Sequence, residues 1–332
     1  MTGKIRRYCG IVEELEFGEQ PAPDPVVHLD ITSAGLDVPS DTNIIYEGGA
    51  RRSARLYRPG FYAPEGDIVY GLDIRTIGWF LKWALGNYKF NDQGGSKNLH
   101  EFYGTHNVRL PSFCARVGKD LFEHIFSGCI INSLEINVGD ALCVATANVI
   151  AKKDAKGAIE SGELSFPEEY PLAFHEVTAY LNSGEISAKV KELTLTINNN
   201  ATAADGRHIG SRHPGQVPVG DRETTLSLEL FYEDTDMLEK FWGGSTGPAK
   251  SGSDEFNMKL ELDAGDYGKL EIDLPKLVNV TAEQQPSNRD EIVQSVEARA
   301  FIDTVELDGG EEVETEILCS LENEQAEMEP AS

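Results

Sequence analysis

Hydrophobic and polar residues alternate along most of this chain, and the period is two. Leu134, Ile136 and Val138 share one face of a strand predicted over 130–138, and Gly139-Asp140 follows as a turn. Leu142, Val144, Thr146 and Asn148 then alternate with Cys143, Ala145, Ala147 and Val149, so the pair reads as a β-hairpin. The same pattern marks Leu193, Leu195 and Ile197, then Leu226, Leu228, Leu230 and Tyr232, then Phe256, Met258, Leu260 and Leu262, and then Leu270, Ile272 and Leu274. Further strands are predicted over 26–31, 67–74 and about 292–304. Strands with one apolar and one polar face build half-solvated antiparallel sheets.

Two segments break this period. In 75–85, Ile77, Phe80, Leu81 and Ala84 fall at i, i+3, i+4 and i+7, the stripe of an amphipathic helix, and Gly86 fits its stop. The segment Thr235–Gly243 is a second helix, with Asp234 or Thr235 as its cap. Each helix follows similar words. Arg58-Pro59-Gly60-Phe61-Tyr62-Ala63-Pro64-Glu65-Gly66-Asp67 returns as His213-Pro214-Gly215-Gln216-Val217-Pro218-Val219-Gly220-Asp221, offset by 155 at Pro-Gly and 154 at Gly-Asp. A repeated unit has equivalent surfaces, from which rings are built.

The expected organisation is therefore an N-terminal arm over 1–25 and a first unit over 26–153. A polar linker over 154–172, a second unit over 173–308 and an acidic tail over 309–332 follow. Pro21, Pro23 and Pro25 suit an extended arm. The polar, Gly-rich stretch 87–111 reads as a long loop, with 243–252 in the corresponding place. The tail, rich in glutamate, is expected to be partly disordered. The predicted fold class is mainly β (α+β): a duplicated β-sandwich or open barrel, each copy with one flanking α-helix.

Composition changes the picture through charge. The chain has 332 residues, 56 acidic against 29 basic, and a net charge of −27. Such a surface repels nucleic-acid phosphates, which argues against a DNA-gripping role. It suits work in very high salt, where screening removes self-repulsion, or an acidic lumen or tail with a local purpose, and both can hold together. No stretch approaches 18 apolar residues and no export signal opens the chain, so neither membrane insertion nor export is expected. The five cysteines form no CxxC pair, and an odd count argues for small buried apolar residues.

Catalytic and ligand motifs do not emerge. The seven histidines are scattered without zinc spacing, and no G-x-S-x-G or EF-hand pattern occurs. Gly244–Ser251 departs from a phosphate loop, since Ala249 sits where glycine is needed and Pro248 lacks a backbone donor. Asn200-Ala201-Thr202 and Asn279-Val280-Thr281 match the glycosylation sequon, which carries little without an export route. The Trp79, Phe80 and Trp83 stripe suits core or subunit packing. No enzyme, cofactor or metal is expected.

Several features together resemble a phage-type major tail tube protein. They are the Arg-rich turn Gly48-Gly49-Ala50-Arg51-Arg52-Ser53-Ala54-Arg55, Pro59-Gly60, the strand leading into the helix ending Ala84-Leu85-Gly86, and the loop with His100-Glu101-Phe102-Tyr103. The hairpin from Phe126 to Ile136, the strand Leu193–Asn199 and Ile272-Asp273-Leu274-Pro275 have the same character. The similarity covers roughly 40–305, and with the acidity it resembles a tube protein from a tailed virus of a halophilic archaeon.

The resemblance implies subunits joined edge to edge so that inner sheets close into one barrel, with rings stacking through the arms and the long loop. Closure removes exposed strand edges. If each unit gives about four lumen strands, six units give about 24 strands, and spacing of about 4.8 Å gives a bore of about 37 Å before tilt, wide enough for duplex DNA. The expected assembly is a trimeric ring with pseudo-sixfold symmetry, the alternative being a hexamer with one unit of each chain lining the bore. Partners would be tail proteins such as tape measure, terminator and baseplate proteins, and viral DNA would pass without specific binding. The chain would be a virion tail component assembled in the host cytoplasm. Candidate lumen residues are Glu135, Glu229, Glu261, Glu271 and Glu297. Candidate ring-stacking residues are Asn91, Asp92, Gly94, Gly95, Arg6 and Arg7. The rival reading is a secreted carbohydrate-binding or adhesive β-sandwich.

Overall fold

The computed structural model describes residues 7–19, 27–29, 31–36, 42–45, 53–54, 56–159, 164, 170–284 and 292–328. The chain opens with β1 (Arg7–Glu13), β2 (Val27–Leu29), β3 (Ile31–Ala34), β4 (Thr42–Ile45), β5 (Leu56–Pro59) and β6 (Glu65–Gly71). Helix α1 (Ile77–Leu85) leads into β7 (Gly86–Asn91), β8 (Asn98–Gly104), β9 (Phe113–Lys119), β10 (Glu123–Val138), β11 (Val144–Ile150) and β12 (Lys153–Gly157). Then come β13 (Val177–Leu181), β14 (Gly184–Glu185), β15 (Val190–Asn198) and β16 (Glu223–Phe231). Helix α2 (Asp236–Trp242) precedes β17 (Glu255–Asp263), β18 (Gly268–Gln284), β19 (Val293–Ala300), β20 (Asp303–Glu306), β21 (Glu312–Thr315) and β22 (Leu318–Asn323).

The fold is mainly β with two flanking helices, as the alternation predicts, and every ladder is antiparallel. One layer has the strand order β3-β6-β11-β10-β15-β16-β19-β18. A second layer covers it. Its first part is β2-β1-β9-β10-β12, and its second part is β14-β13-β17-β18-β22-β8-β7. Strands β10 and β18 are long enough to bend from one layer into the other. At the β10 bend, Gly128 has φ of 68°, a left-handed conformation suited to glycine. The ladders branch but never return on themselves, so the layers stay open among the described residues.

Both halves use the same ladder plan. The register slip between Phe126 and Cys129 in β10 recurs between Leu274 and Leu277 in β18. The bulge between Ile131 and Ser133 recurs between Asn279 and Thr281, at the same offset along the chain. The bulge between Ile31 and Ser33 in β3 recurs between Val190 and Glu192 in β15. The Pro-Gly and Gly-Asp words do not superpose on this plan. In the ladders Tyr70 holds the place of Leu230, a wider spacing than the one separating the repeated words.

One hydrophobic cluster runs through both halves between the layers. Leu134, Ile136, Leu195, Leu228, Leu260 and Ile272 all lie in it at no more than 2% exposure. Phe80 and Trp83 of α1 are fully buried, and Trp83 stacks on Phe113 at 4.1 Å. Both helices stop as expected on a left-handed glycine, Gly86 and Gly243. At α2, Asp234 accepts the Asp236 backbone N–H while the Thr235 hydroxyl bonds Glu239. All five cysteines are buried and free.

Four sequence expectations need correction. The arm over 1–25 contains β1, whose Tyr8, Cys9 and Ile11 are buried and whose seven residues pair with β9. Residues 1–6 and 20–26 lie outside the described part. The loop over 87–111 is largely the β7–β8 hairpin, with Tyr88 stacked on Phe102. The acidic tail contains β21 and β22, and β22 lies between β18 and β8 with Cys319 and Leu321 fully buried. The linker likewise begins with β12 on β10.

Candidate functional site

The two ends of the eight-stranded layer are the chemically exceptional places in this fold. Strand β3 pairs with β6 on one side only. In β18, the β17 ladder ends at Val278, so Asn279–Gln284 pairs with β19 on one side only. Among the described residues no strand covers either outer edge. Unpaired backbone groups on an edge strand are a template for pairing with another chain. The equivalent stretch of β10 has such a partner within the chain: Ser133–Val138 pairs with Leu193–Asn198 of β15.

That internal join is firmly held. Buried Asn199, next after β15, donates through Nδ2 to the carbonyls of Ala84 at 2.9 Å and Ile131 at 3.1 Å. It ties the end of α1 to the bulge in β10. In the second half the matching place is closed by Ser253, whose Oγ donates to the carbonyl of Phe241 at 2.9 Å and lies 3.3 Å from that of Asn279. Arg222 pairs with Glu316 and donates to the Thr105 carbonyl at 3.2 Å. This join was not foreseen in the sequence, although the Asn198-Asn199-Asn200 run could have marked it.

The layer has one apolar and one polar face. Leu134, Ala147, Ile197, Leu226 and Ala298 point into the core. On the open face, cross-strand rows carry mostly hydroxyls and carboxylates. One runs Val69, Thr146, Glu135, Thr196, Thr225, Arg299, and the next includes Asn137, Thr194, Ser227, Glu297, Thr281. Glu135 and Glu297 are exposed on it, and Glu229 pairs with Lys191 at 3.3 Å. Glu261 and Glu271 are not brought to this face. They sit on β17 and β18 in the other layer, in a four-charge cluster where Lys269 lies 2.5 Å from Glu271 and Lys259 lies 2.7 Å from it. Burial pushes the Glu271 carboxyl up, but its bonds to both lysines outweigh this and hold it below the usual range.

The other candidates fall in two places. Asn91, Asp92, Gly94 and Gly95 form the tip of the β7–β8 hairpin, where Asp92 accepts from the Gly94 N–H at 2.7 Å. Arg7 opens β1 and pairs with Asp120 at 3.2 Å, while Arg6 lies outside the described residues. No helix among the described residues is long and apolar enough to cross a membrane.

A two-layered open sheet with two bare terminal strands defines a class of β protein whose edges are templates for pairing with another chain. The chain belongs to the phage tail tube protein family, whose sequence profile matches residues 6–300. It is thus a structural component of the virion tail, of a family that self-assembles into a tube. No curated protein matches the chain.

Proposed function

We propose that this protein is a duplicated tube subunit, three copies of which close into a ring with pseudo-sixfold symmetry, and that stacked rings form the conduit for genome delivery. The observation that carries this reading is the eight-stranded layer. Both halves contribute four strands to it, β10 and β15 join them, and the bare edges of β3 and β18 stand at its two ends. Pairing β18 of one copy with β3 of the next repeats the internal join. Three copies then give about 24 strands and a bore of about 37 Å before tilt.

A layer shared by both halves favours three copies over a hexamer in which one half of each chain lines the bore. The polar face of the layer would line the channel, with Glu135, Glu229 and Glu297 on it. Such a wall offers few cationic holds for phosphate, so DNA slides without being gripped. The net charge of −27 suits assembly in concentrated salt. The β7–β8 tip is the proposed contact between rings.

Electron microscopy of the purified chain in molar salt tests this. Tubes whose cross-sections hold three chains and six similar lobes are the expected result. Monomers under all salt conditions, or rings of six chains, would overturn it.

A further inference from the structure

The join inside one chain also shows what a loop does beside a paired edge. We infer, building on the ring proposed above, that the β4–β5 hairpin docks into a groove beside β18 and β19 of a neighbouring copy. The template is the segment 199–222, which connects β15 to β16. It folds over the first half, where its Ala201 and Val217 are buried against Leu110, Ile130 and Ile150. The Ala201 N–H donates to Asn132 Oδ1 at 2.8 Å, and the Val219 N–H donates to the Val108 carbonyl at 3.3 Å.

The receptor surface exists a second time, without its cover. Ile130 pairs with Ile150 across β10 and β11. Val278 holds the place of Ile130 in the second half, by the offset that relates the bulges of β10 and β18, and it pairs with Arg299 across β18 and β19. Around Val278 and Arg299 lies an open groove of about 940 Å³, lined by Phe301 and Ile302 and by charged Arg222, Glu255 and Lys276. Phe301 is 44% and Ile302 52% exposed, whereas Ile130 under its cover is 2% exposed.

The occupant exists as well. The segment between β3 and β6 matches the one between β15 and β16, because the flanking strands share a bulge and a register. It holds β4 and β5, which pair only with each other among the described residues. A lone two-stranded hairpin is marginal in water, and this one exposes Leu56 and Tyr57. Tyr57 precedes Val217 by the same spacing that separates Tyr70 of β6 from Leu230 of β16. A tyrosine gives large contact area with a wet tip, which suits an interface anchor. The hairpin adjoins β3 and β6 at one end of the layer. The chain's own groove lies beside β18 and β19 at the other end of the layer, so the occupant comes from another copy.

The test is a Tyr57→Cys, Ile302→Cys double variant, assembled and treated with a short bismaleimide. The native cysteines are buried, so the two new thiols are the ones that react. Denaturing gels are expected to show covalent dimers and trimers that stop at three copies, with each single variant giving neither. Rings with no inter-copy link overturn the docking and leave the ring intact. Links that run beyond three copies place the hairpin on an adjacent ring, and this too overturns it. If no rings form, the reading on which the docking rests falls first. As a second measurement, Tyr57→Asp is expected to raise the concentration needed for ring assembly at least tenfold while leaving the monomer's melting temperature unchanged.

Discussion

The most consequential single contact joins β1 to α1. Lys82 Nζ lies 2.8 Å from Glu13 Oε2 and donates to the Met328 carbonyl at 2.6 Å, while Trp83 Nε1 donates to Glu13 at 2.9 Å. Both charges are buried, so removing one partner leaves the other uncompensated, at about 3–5 kcal/mol. Glu13→Ala is expected to lower the unfolding free energy in urea by that much, and Glu13→Ala with Lys82→Met to recover most of it. This pair was invisible in the sequence. Glu13 sits in a polar-looking arm, 69 residues from its partner. A second residue-scale case is Asp154. Burial raises its carboxyl, but the Tyr62 hydroxyl at 2.6 Å and His124 at 2.6 Å outweigh that and hold it below the ordinary aspartate value. Burial, then the Asp154 acceptor, pushes the Tyr62 hydroxyl up to about 12. A depressed carboxylate stabilises the fold above its unfolded value of about 3.9 and loses that contribution as pH falls through the lower folded value. Denaturation curves between pH 6 and pH 2.5 should show the loss in the native chain and a smaller one in Asp154→Asn.

At the scale of elements, the strand bends set the two-layer design. Gly128 turns β10 from one layer to the other with φ of 68°, and a Cβ there would meet Lys152 Cβ at 2.7 Å. Gly128→Ala is therefore expected to destabilise the fold by about 1–3 kcal/mol in chemical denaturation. A loss below a few tenths would mean the bend does not depend on glycine. Elements with strong alternation were legible: β10, β11, β15, β16, β17 and both helices stand close to their sequence positions. Strand β1, strand β22 and the β7–β8 hairpin were not. Strand β1 gains its identity from β9, which is distant in the chain, and β22 gains its own from β18 and β8. The β7–β8 hairpin is built from asparagine, lysine and glycine between aromatics, a composition that locally favours loops.

At the scale of the molecule, charge and topology act against each other. Copies carrying −27 repel, and the repulsion is screened over about 10 Å at 0.1 M salt but about 3 Å at 1 M. Assembly measured by light scattering is expected to rise steeply over that range, and a fall would contradict a seam limited by like charge. The half-solvated sheet was legible from period-two patterning. The partner of each edge was not, because alternation fixes which face a residue takes and says nothing about the neighbour. If the proposed ring forms, the β10–β15 ladder has a further effect on how it nucleates. Every other seam of the proposed ring would be tethered by a peptide chain, so it would form at a fixed local concentration and shed its dependence on dilution. In the ring proposed above, three encounters, not six, would complete a circle. Because linked and unlinked seams are free to drift apart in sequence, the rim of the proposed ring would carry a threefold pattern. A terminal cap of that symmetry can seat on it in only three orientations.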